Sequence, residues 1–252
     1  MADLVERLAW DSEFFGRPIG RARIGRLDAT SAARLVDEAR AAGLECIYFV
    51  SAADDLGTLL AVETRGFHLV DVRLVFERPA AAPLPAFEDG ERFLLESSRS
   101  DELPRLEELA VQVSRQSRYA FDPRFPIGDT ERLYRVWIGN ALRGFADAVL
   151  VAREGPNAEA LGFVCCKMHG ALCDLQLAGV DERHRQRKVG RALFAEGVLW
   201  ALARGATRVQ IVTQARNVPA QRLFQQLGFL TSEVRLCYHL WLTPPSPPTP
   251  AR

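Results

Sequence analysis

Arg185-Gln186-Arg187-Lys188-Val189-Gly190 lies between an apolar segment, Leu172–Val180, and a segment with helical periodicity that begins near Gly190. A strand that runs into a basic turn and then into a helix brings unpaired backbone N–H groups and the positive end of the helix dipole to that turn. Turns of this kind bind anions, and phosphate in particular. The stretch therefore predicts a phosphate-binding strand–turn–helix unit in an α/β fold.

The charge of the chain is balanced over its 252 residues, with 32 basic and 32 acidic side chains. A balanced chain has no overall positive field for nucleic acid or an anionic membrane. No N-terminal signal pattern and no apolar run of spanning length is present. We therefore expect a cytoplasmic protein with neither nucleic acid nor membrane as partner. The five cysteines form no Cys-x-x-Cys pair, and no metal is expected.

Two parts of the chain show the same order of elements, helix–strand–helix–strand. Gly43 is followed by Gly66 at the same interval at which Gly205 is followed by Gly228, and a phenylalanine follows each second glycine. The glycines after the first helix of each set are typical of left-handed helix ends. This pattern predicts an internal duplication. A chance likeness of two β-α-β segments is the alternative.

Composition divides the chain into four parts. These are a small α/β domain, a linker, a larger α/β domain and a disordered proline-rich tail, at residues 1–78, 79–90, 91–243 and 244–252. The linker contains three prolines and ends in turn residues. The larger domain combines strands with the helix–strand–helix–strand order, which predicts a mixed sheet with helices on both faces.

Two motifs in the larger domain resemble those of the GCN5-related N-acetyltransferases (GNAT). The first runs from Val180 through Arg185-x-x-Lys188-Val189-Gly190 and resembles that family's acetyl-CoA motif. The second, Asn217-Val-Pro-Ala-Gln-Arg-Leu-Phe-Gln-Gln-Leu-Gly228-Phe229, resembles its downstream helix segment. The resemblance implies a GNAT fold, a mixed twisted sheet flanked by helices. It also makes the N-terminal domain similar to half of a GNAT domain.

Acetyl-CoA is the co-substrate that this resemblance implies. By the resemblance, the strand edge before the turn binds the pantetheine arm, and one of its N–H groups polarises the thioester carbonyl. The expected cofactor-binding residues are Leu177, Ala178, Val180, Arg185, Gln186, Arg187, Lys188, Val189, Gly190, Arg191, Asn217 and Phe224. For the cations the alternative is a role as solvated surface side chains, and for Asn217 a role as a helix N-cap.

A closer resemblance, to the bacterial dTDP-fucosamine acetyltransferases, extends over the whole chain. It rests on Trp10-Asp-Ser-Glu-Phe-Phe-Gly16 and on Tyr134-x-x-Trp137-Ile-x-Asn140. It implies that the acceptor is the amino group of a nucleotide-linked amino-deoxy sugar used for surface polysaccharide. Whether the protein forms a homodimer is left open.

Two residues depart from the family pattern. Lys188 stands where the family usually has glycine, and Phe224 where it usually has a tyrosine that protonates the leaving thiolate. Three accounts of Phe224 are open. The thiolate leaves without an acid, or Tyr238 or His239 on the last strand acts as the catalytic group, or the protein binds acetyl-CoA without turning it over.

Residues 115–140 are expected to recognise the acceptor. The segment mixes arginines and aromatic side chains, a composition that suits a sugar ring and a diphosphate. The expected substrate-binding residues are Arg118, Tyr119, Tyr134 and Trp137. The alternative is a surface loop with a few packed aromatic residues. Asp122 or a bound water is the candidate base, and the sequence does not rank them.

Three functions follow from these observations. The first is an N-acetyltransferase for a nucleotide-linked amino sugar, and the second is an N-acetyltransferase for another small amine. The third is a catalytically silent protein that binds acetyl-CoA.

Overall fold

The computed structural model describes residues 3–86 and 93–244. The first half of the chain contains β1 (Val5–Arg7), α1 (Ala9–Phe15), β2 (Ile19–Ala22), α2 (Ala29–Ala41), β3 (Cys46–Ala52), α3 (Leu56–Glu63) and β4 (His68–Pro79). Four residues of the predicted linker, 87–90, lie outside the described residues, and so does the predicted tail beyond residue 244.

The second half is longer. It contains β5 (Leu94–Ser97), α4 (Leu103–Ser114), α5 (Ile127–Asn140), β6 (Ala148–Arg153), β7 (Gly162–His169), β8 (Leu172–Val180), α6 (Val189–Leu202), β9 (Arg208–Gln214), α7 (Val218–Gln226) and β10 (Leu230–Trp241). A π-helical turn follows α5, and a short 3-10 helix, Glu182–His184, follows β8.

The repeated order of elements is present in the structure, as α2-β3-α3-β4 and as α6-β9-α7-β10. Gly43, Gly66, Gly205 and Gly228 have φ values of 65°, 78°, 82° and 80°. These values lie in the left-handed region, which only glycine adopts without steric cost. The equal spacing of the glycines therefore reflects equivalent turns after equivalent helices.

The described chain packs as two compact units. Unit 1 contains the residues up to Arg73, the segment Phe121–Arg124 and the residues from Val234 onward. Unit 2 contains Leu74–Ala120 and Phe125–Glu233. This division differs from the predicted domains, which assign residues 91–243 to a single domain.

Unit 1 is built on β3. Strand β2 pairs with β3 in parallel, and β10 pairs with it antiparallel, from Arg235 opposite Ala52 to Trp241 opposite Cys46. This pairing explains why the last strand, from Val234 onward, belongs to unit 1 although it follows α7 in sequence. One face of the unit buries an apolar cluster that includes Leu35, Phe49 and Tyr238.

Unit 2 contains an antiparallel run, β5-β6-β7-β8, followed by β9, which is parallel to β8. Helix α6 packs its apolar residues against this sheet, and its Leu193 and Val198 are almost fully buried. Burying side chains of this size contributes about 1.5–3 kcal/mol each. The expected class is confirmed, since both units combine strands with packed helices.

Candidate active site

The turn between β8 and α6 has an unusual backbone. Gln186 and Lys188 have φ values of 66° and 60°, and no other non-glycine residue in the described part of the chain has a positive φ. Val189 begins α6 directly after the left-handed Lys188. A left-handed residue followed by a right-handed one makes adjacent N–H groups converge on a point where an anion binds. The backbone of the turn therefore has the shape of a phosphate cradle.

The first turn of α6 has no side-chain cap. The equivalent helix of the first half, α2, is different, because the Asp28 carboxylate accepts the N–H of Ser31 at 2.7 Å and the Ser31 hydroxyl accepts the N–H of Asp28 at 2.8 Å. A carboxylate at a helix N-terminus occupies the position that a phosphate would take. Of the two duplicated helices, only α6 has an N-terminus that its own side chains leave open.

Gly190 is required by packing within the protein. A Cβ atom at this position would lie 3.1 Å from the Leu223 side chain and 3.6 Å from that of Val180. The glycine lets the start of α6 approach both β8 and α7. The missing side chain therefore points into the protein, and the cofactor-binding role of Gly190 stays a prediction.

The cations of the turn have different surroundings. Arg187 is exposed and its guanidinium lies 2.6 Å from the Glu154 carboxylate. Arg191 donates to the carbonyl oxygen of Ala86 at 2.8 Å. Arg185 is exposed. An exposed ion pair contributes little to stability, so a phosphate can replace Glu154 as the partner of Arg187 at small cost.

Asp181, which the sequence analysis did not identify, holds the beginning of the turn. Its side chain is fully buried and pairs with Arg105 and with Arg183. The hydrogen bond from Arg183 lowers the pKa of Asp181 far below its usual range, against the opposing effect of burial, and Arg105 lowers the pKa further. An ionised anchor between α4 and the end of β8 fixes the direction in which the chain enters the turn.

Strand β8 has an open edge. Its described register with β9 runs from Leu172 opposite Arg208 to Leu175 opposite Ile211, although β8 continues to Val180. The pairs with β7 shift between Val164 and Cys166, which leaves one extra residue in β8. Such a bulge separates a strand locally from its neighbours.

The direction of the N–H groups on this edge follows from one hydrogen bond. The N–H of Asp181 donates to the carbonyl of Leu161, on the β7 side, at 2.9 Å. Successive N–H groups of an extended strand point in opposite directions. Those of Ala178 and Val180 therefore point away from β7, to the edge that β9 leaves open. An extended amide chain can bind there as an added strand.

Asn217 and Phe224 both have structural roles. The Asn217 side chain accepts the N–H of Ala220 at 3.4 Å, so it is the N-cap of α7. Phe224 is 3% exposed and its ring contacts those of Phe76 and Phe194 at centroid distances of 5.7 and 5.0 Å. This ring belongs to the core of unit 2.

The four expected acceptor residues form two contacting pairs in unit 2, one cation–π and one aromatic. Arg118 donates to the Tyr119 hydroxyl at 2.8 Å and lies 4.8 Å from the centre of its ring. Tyr134 and Trp137 have ring centroids 4.9 Å apart. Tyr119 and Tyr134 are buried, at 4% and 6% exposure.

The two expected catalytic residues lie in unit 1, whereas the expected cofactor and acceptor residues lie in unit 2. Tyr238 lies opposite Phe49 in the apolar cluster, and burial, followed by the Glu63 charge, raises the pKa of its phenol. His239 points to the other face of β10, where Nδ1 lies 2.7 Å from Oδ2 of Asp122.

Two kinds of feature are absent from the described residues. These residues contain no group of three or more His, Cys, Asp or Glu side chains arranged to hold a metal ion. None of the helices described there has the length and apolar character needed to cross a membrane.

Comparison with known proteins places this geometry in a class. The sequence model of the acetyltransferase (GNAT) family matches residues 106–229, which include the open edge of β8, the phosphate turn and α7. The fold and the matched region define an acetyltransferase. The chain belongs to the GNAT family, whose members use acetyl-CoA.

Several relatives share parts of the chain. A dTDP-fucosamine acetyltransferase of Escherichia coli O6:H1 is 28% identical over 227 residues, 89% of this chain and 92% of that protein. The spore coat polysaccharide biosynthesis protein SpsD of Bacillus subtilis is 28% identical over 134 residues, 53% of this chain and 46% of its own.

Solved structures support the fold. A GCN5-related N-acetyltransferase from Sphaerobacter thermophilus aligns over 95% of this chain and 76% of its own, with a TM-score of 0.67 and 16% identity. A tandem GNAT protein from the clavulanic acid biosynthesis pathway aligns over 91% of this chain and 77% of its own, with a TM-score of 0.56 and 17% identity.

Replacing Lys188 tests the strain in the turn. Because Lys188 has a left-handed backbone, we expect Lys188→Gly to be more stable than Lys188→Ala by about 1 kcal/mol. Both variants remove the ammonium group, so any difference in unfolding free energy, measured by urea denaturation, reports the backbone alone. Equal stabilities would show that the left-handed conformation at this position is not strained.

Proposed function

We propose that the protein transfers the acetyl group of acetyl-CoA to the amino group of a nucleotide-linked amino-deoxy sugar, a precursor of surface polysaccharide. The observation that supports this acceptor is the similarity over 89% of the chain to a protein named dTDP-fucosamine acetyltransferase. A second relative is named for spore coat polysaccharide biosynthesis. The proposal places the reaction in the cytoplasm, where nucleotide sugars are made.

In this proposal, the open edge of β8 and the turn after it bind the two parts of acetyl-CoA. The outward N–H groups of Ala178 and Val180 donate to the amide oxygens of the pantetheine arm. The N–H groups from Gln186 to Arg191 bind the pyrophosphate, with Arg185 and Lys188 adding positive charge. Leu177 lies beside the bulge, where an N–H released from the ladder stabilises the developing oxyanion.

The chemistry is the attack of a neutral amine on the thioester carbonyl. A C–N bond forms, the C–S bond breaks, the amine gives up one proton to water, and the thiolate leaves with the electron pair. The Phe224 side chain has no proton to give, and Tyr238 has a raised pKa that makes it a weak acid at neutral pH. A thiolate is a good leaving group because a thiol has a pKa of about 8.5. We propose that it leaves without an acid from the protein.

The variant Phe224→Tyr tests this account of the leaving group. Because the thiolate needs no acid, we expect kcat to stay within about threefold of the wild-type value or to rise, since an acid adds little to a good leaving group. The melting temperature is measured alongside kcat, because the added hydroxyl enters a cluster of phenyl rings. A large loss of kcat at an unchanged melting temperature would show that the ring packs against the substrate.

Acceptor specificity is measured by following thiol release with a chromogenic reagent. We expect a dTDP-linked 4-amino-4,6-dideoxyhexose to be used with a kcat/KM at least 100-fold above that of simple amines, by analogy with the ~10²–10⁵-fold discrimination of hydrogen-bonded sites. The same nucleotide sugar with a hydroxyl in place of the amine is the control and should release no thiol. Equal use of simple amines would favour an N-acetyltransferase for another small amine. Tight acetyl-CoA binding without thiol release from any amine would favour a catalytically silent protein that binds acetyl-CoA.

A further inference from the structure

A short loop between α4 and α5 is closed at its base by two aromatic rings. Tyr119 and Phe125 have centroids 5.2 Å apart with an interplanar angle of 82°, and each is 4% exposed. Both residues belong to unit 2, whereas residues 121–124 between them belong to unit 1. We refer to residues 119–125 as the anchored loop. Tyr119 at its base and Arg118, which directly precedes the loop, are expected from the sequence to contact the acceptor.

Asp122 is the centre of the contacts that the tip of the anchored loop makes in unit 1. It is 4% exposed, and its Oδ2 atom accepts from His239 Nδ1 at 2.7 Å and from the Trp241 indole N–H at 2.9 Å. Its Oδ1 atom accepts the backbone N–H of Arg124 at 3.0 Å. A buried carboxylate is costly unless it is hydrogen-bonded, and this one accepts three hydrogen bonds.

The charge state of Asp122 follows from the same contacts. Burial raises its pKa, but the hydrogen bond from His239, then those from Arg124 and Trp241, lower it more, so that the pKa lies below its usual value. The carboxylate is therefore ionised at neutral pH. An ionised acceptor requires a proton on Nδ1 of His239, so the ring acts here as a hydrogen-bond donor.

Arg124 adds a second set of contacts with the end of the chain. Its guanidinium donates to the backbone carbonyls of Thr243 and Pro244 at 2.7 and 2.9 Å. It also lies 4.3 Å from the centre of the Trp241 ring. Two charged groups, the Asp122 carboxylate and the Arg124 guanidinium, thus hold the tip of the loop to the last residues of β10 and to the segment after it.

We propose that Asp122, held by His239 and Trp241, is a positioning residue that fixes the anchored loop in the conformation that binds the acceptor. This proposal rests on the proposed function and on the expectation, drawn from the sequence, that Arg118 and Tyr119 contact the acceptor. In this proposal His239 acts by holding Asp122 in place, and it does not carry the amine proton. A catalytic group misplaced by about 1 Å costs about 100-fold in rate, so fixing such a loop has a large effect.

Two variants of His239 separate positioning from proton transfer. Asparagine has an N–H donor at the position of Nδ1 but cannot take up a proton, whereas leucine offers neither. For His239→Leu and Asp122→Ala we expect the KM of the acceptor to rise at least tenfold and the KM of acetyl-CoA to stay within twofold. For His239→Asn both KM values and kcat should stay near those of the wild type. Asp37→Ala, which removes an exposed carboxylate paired with Arg40 in α2, is the matched control.

Hydrogen exchange of residues 115–126 gives a readout that needs no acceptor. The backbone amides of this segment should exchange at least tenfold faster in His239→Leu and Asp122→Ala than in the wild type, and Asp37→Ala should show no change. If Asp122→Ala fails to fold, Asp122→Asn replaces it. The exchange result therefore stands even if nucleotide sugars prove not to be the acceptors, an outcome that would contradict only the proposed function.

Two results would overturn the positioning role. One is an equal loss of kcat in His239→Asn and His239→Leu with unchanged KM values, which would make His239 a proton carrier. The other is wild-type exchange in both His239→Leu and Asp122→Ala.

Discussion

Replacing Ala178 by proline is expected to lower kcat/KM for acetyl-CoA about 100-fold while the protein stays folded. The change removes the N–H that is proposed to donate to an amide oxygen of the pantetheine arm. An acceptor left without its donor costs about 1–3 kcal/mol, and the proline ring also fills the edge on which the arm binds. The fold should tolerate the change, because the Ala178 N–H points away from β7 and its loss breaks no bond with that strand.

Ala178→Gly is the matched control for this experiment. It removes the methyl group but keeps the N–H, so its kcat/KM should stay within about threefold of the wild-type value if the backbone donor is what matters. Isothermal titration with coenzyme A and the melting temperature separate loss of binding from loss of structure. Normal turnover by a folded Ala178→Pro variant would contradict the proposed role of this edge.

Replacing Phe224 by alanine is expected to lower the free energy of unfolding by about 3–5 kcal/mol. The ring is 3% exposed and contacts Phe76, Phe194 and Phe229, with centroids 5.0 to 6.1 Å away. Its removal leaves a cavity between these rings that the backbone of α7 cannot close. Urea denaturation followed by circular dichroism measures the effect.

The control for this variant is Phe145→Ala. Phe145 is 68% exposed, and its replacement should change the free energy of unfolding by less than about 0.5 kcal/mol. The result also decides between two roles of Phe224. If Phe224→Ala lowers the free energy of unfolding by less than about 1 kcal/mol and raises the KM for acetyl-CoA, the ring belongs to the cofactor site, as the family resemblance predicts.

The elements around the phosphate turn were predictable because their signals are local. An apolar strand, a basic turn and an amphipathic helix each depend on neighbours within a few positions. The repeated order of elements was predictable for the same reason, since the glycines that end equivalent helices need the same left-handed backbone.

The candidate site was predictable only in part. The sequence identified Ala178 and Val180 through the family resemblance, but the direction of their N–H groups follows from the contacts of β8 with its two neighbours. Asp181 was missed because its partner Arg105 lies 76 positions away. The sequence showed that Lys188 stands where the family usually has glycine, but it did not show that this lysine has a left-handed backbone.

By itself, the sequence determined the repeated helix–strand–helix–strand order and the family to which the chain belongs. These properties depend on local patterns and on motifs that can be read directly. Only the tertiary structure decided that the end of β10 pairs with β3 and that Phe224 lies in a core of aromatic rings. It also brought Asp122 to His239 and Trp241, 117 and 119 positions away. Contacts between residues so distant in sequence are selected by how whole strands and helices pack, and no local pattern records that choice.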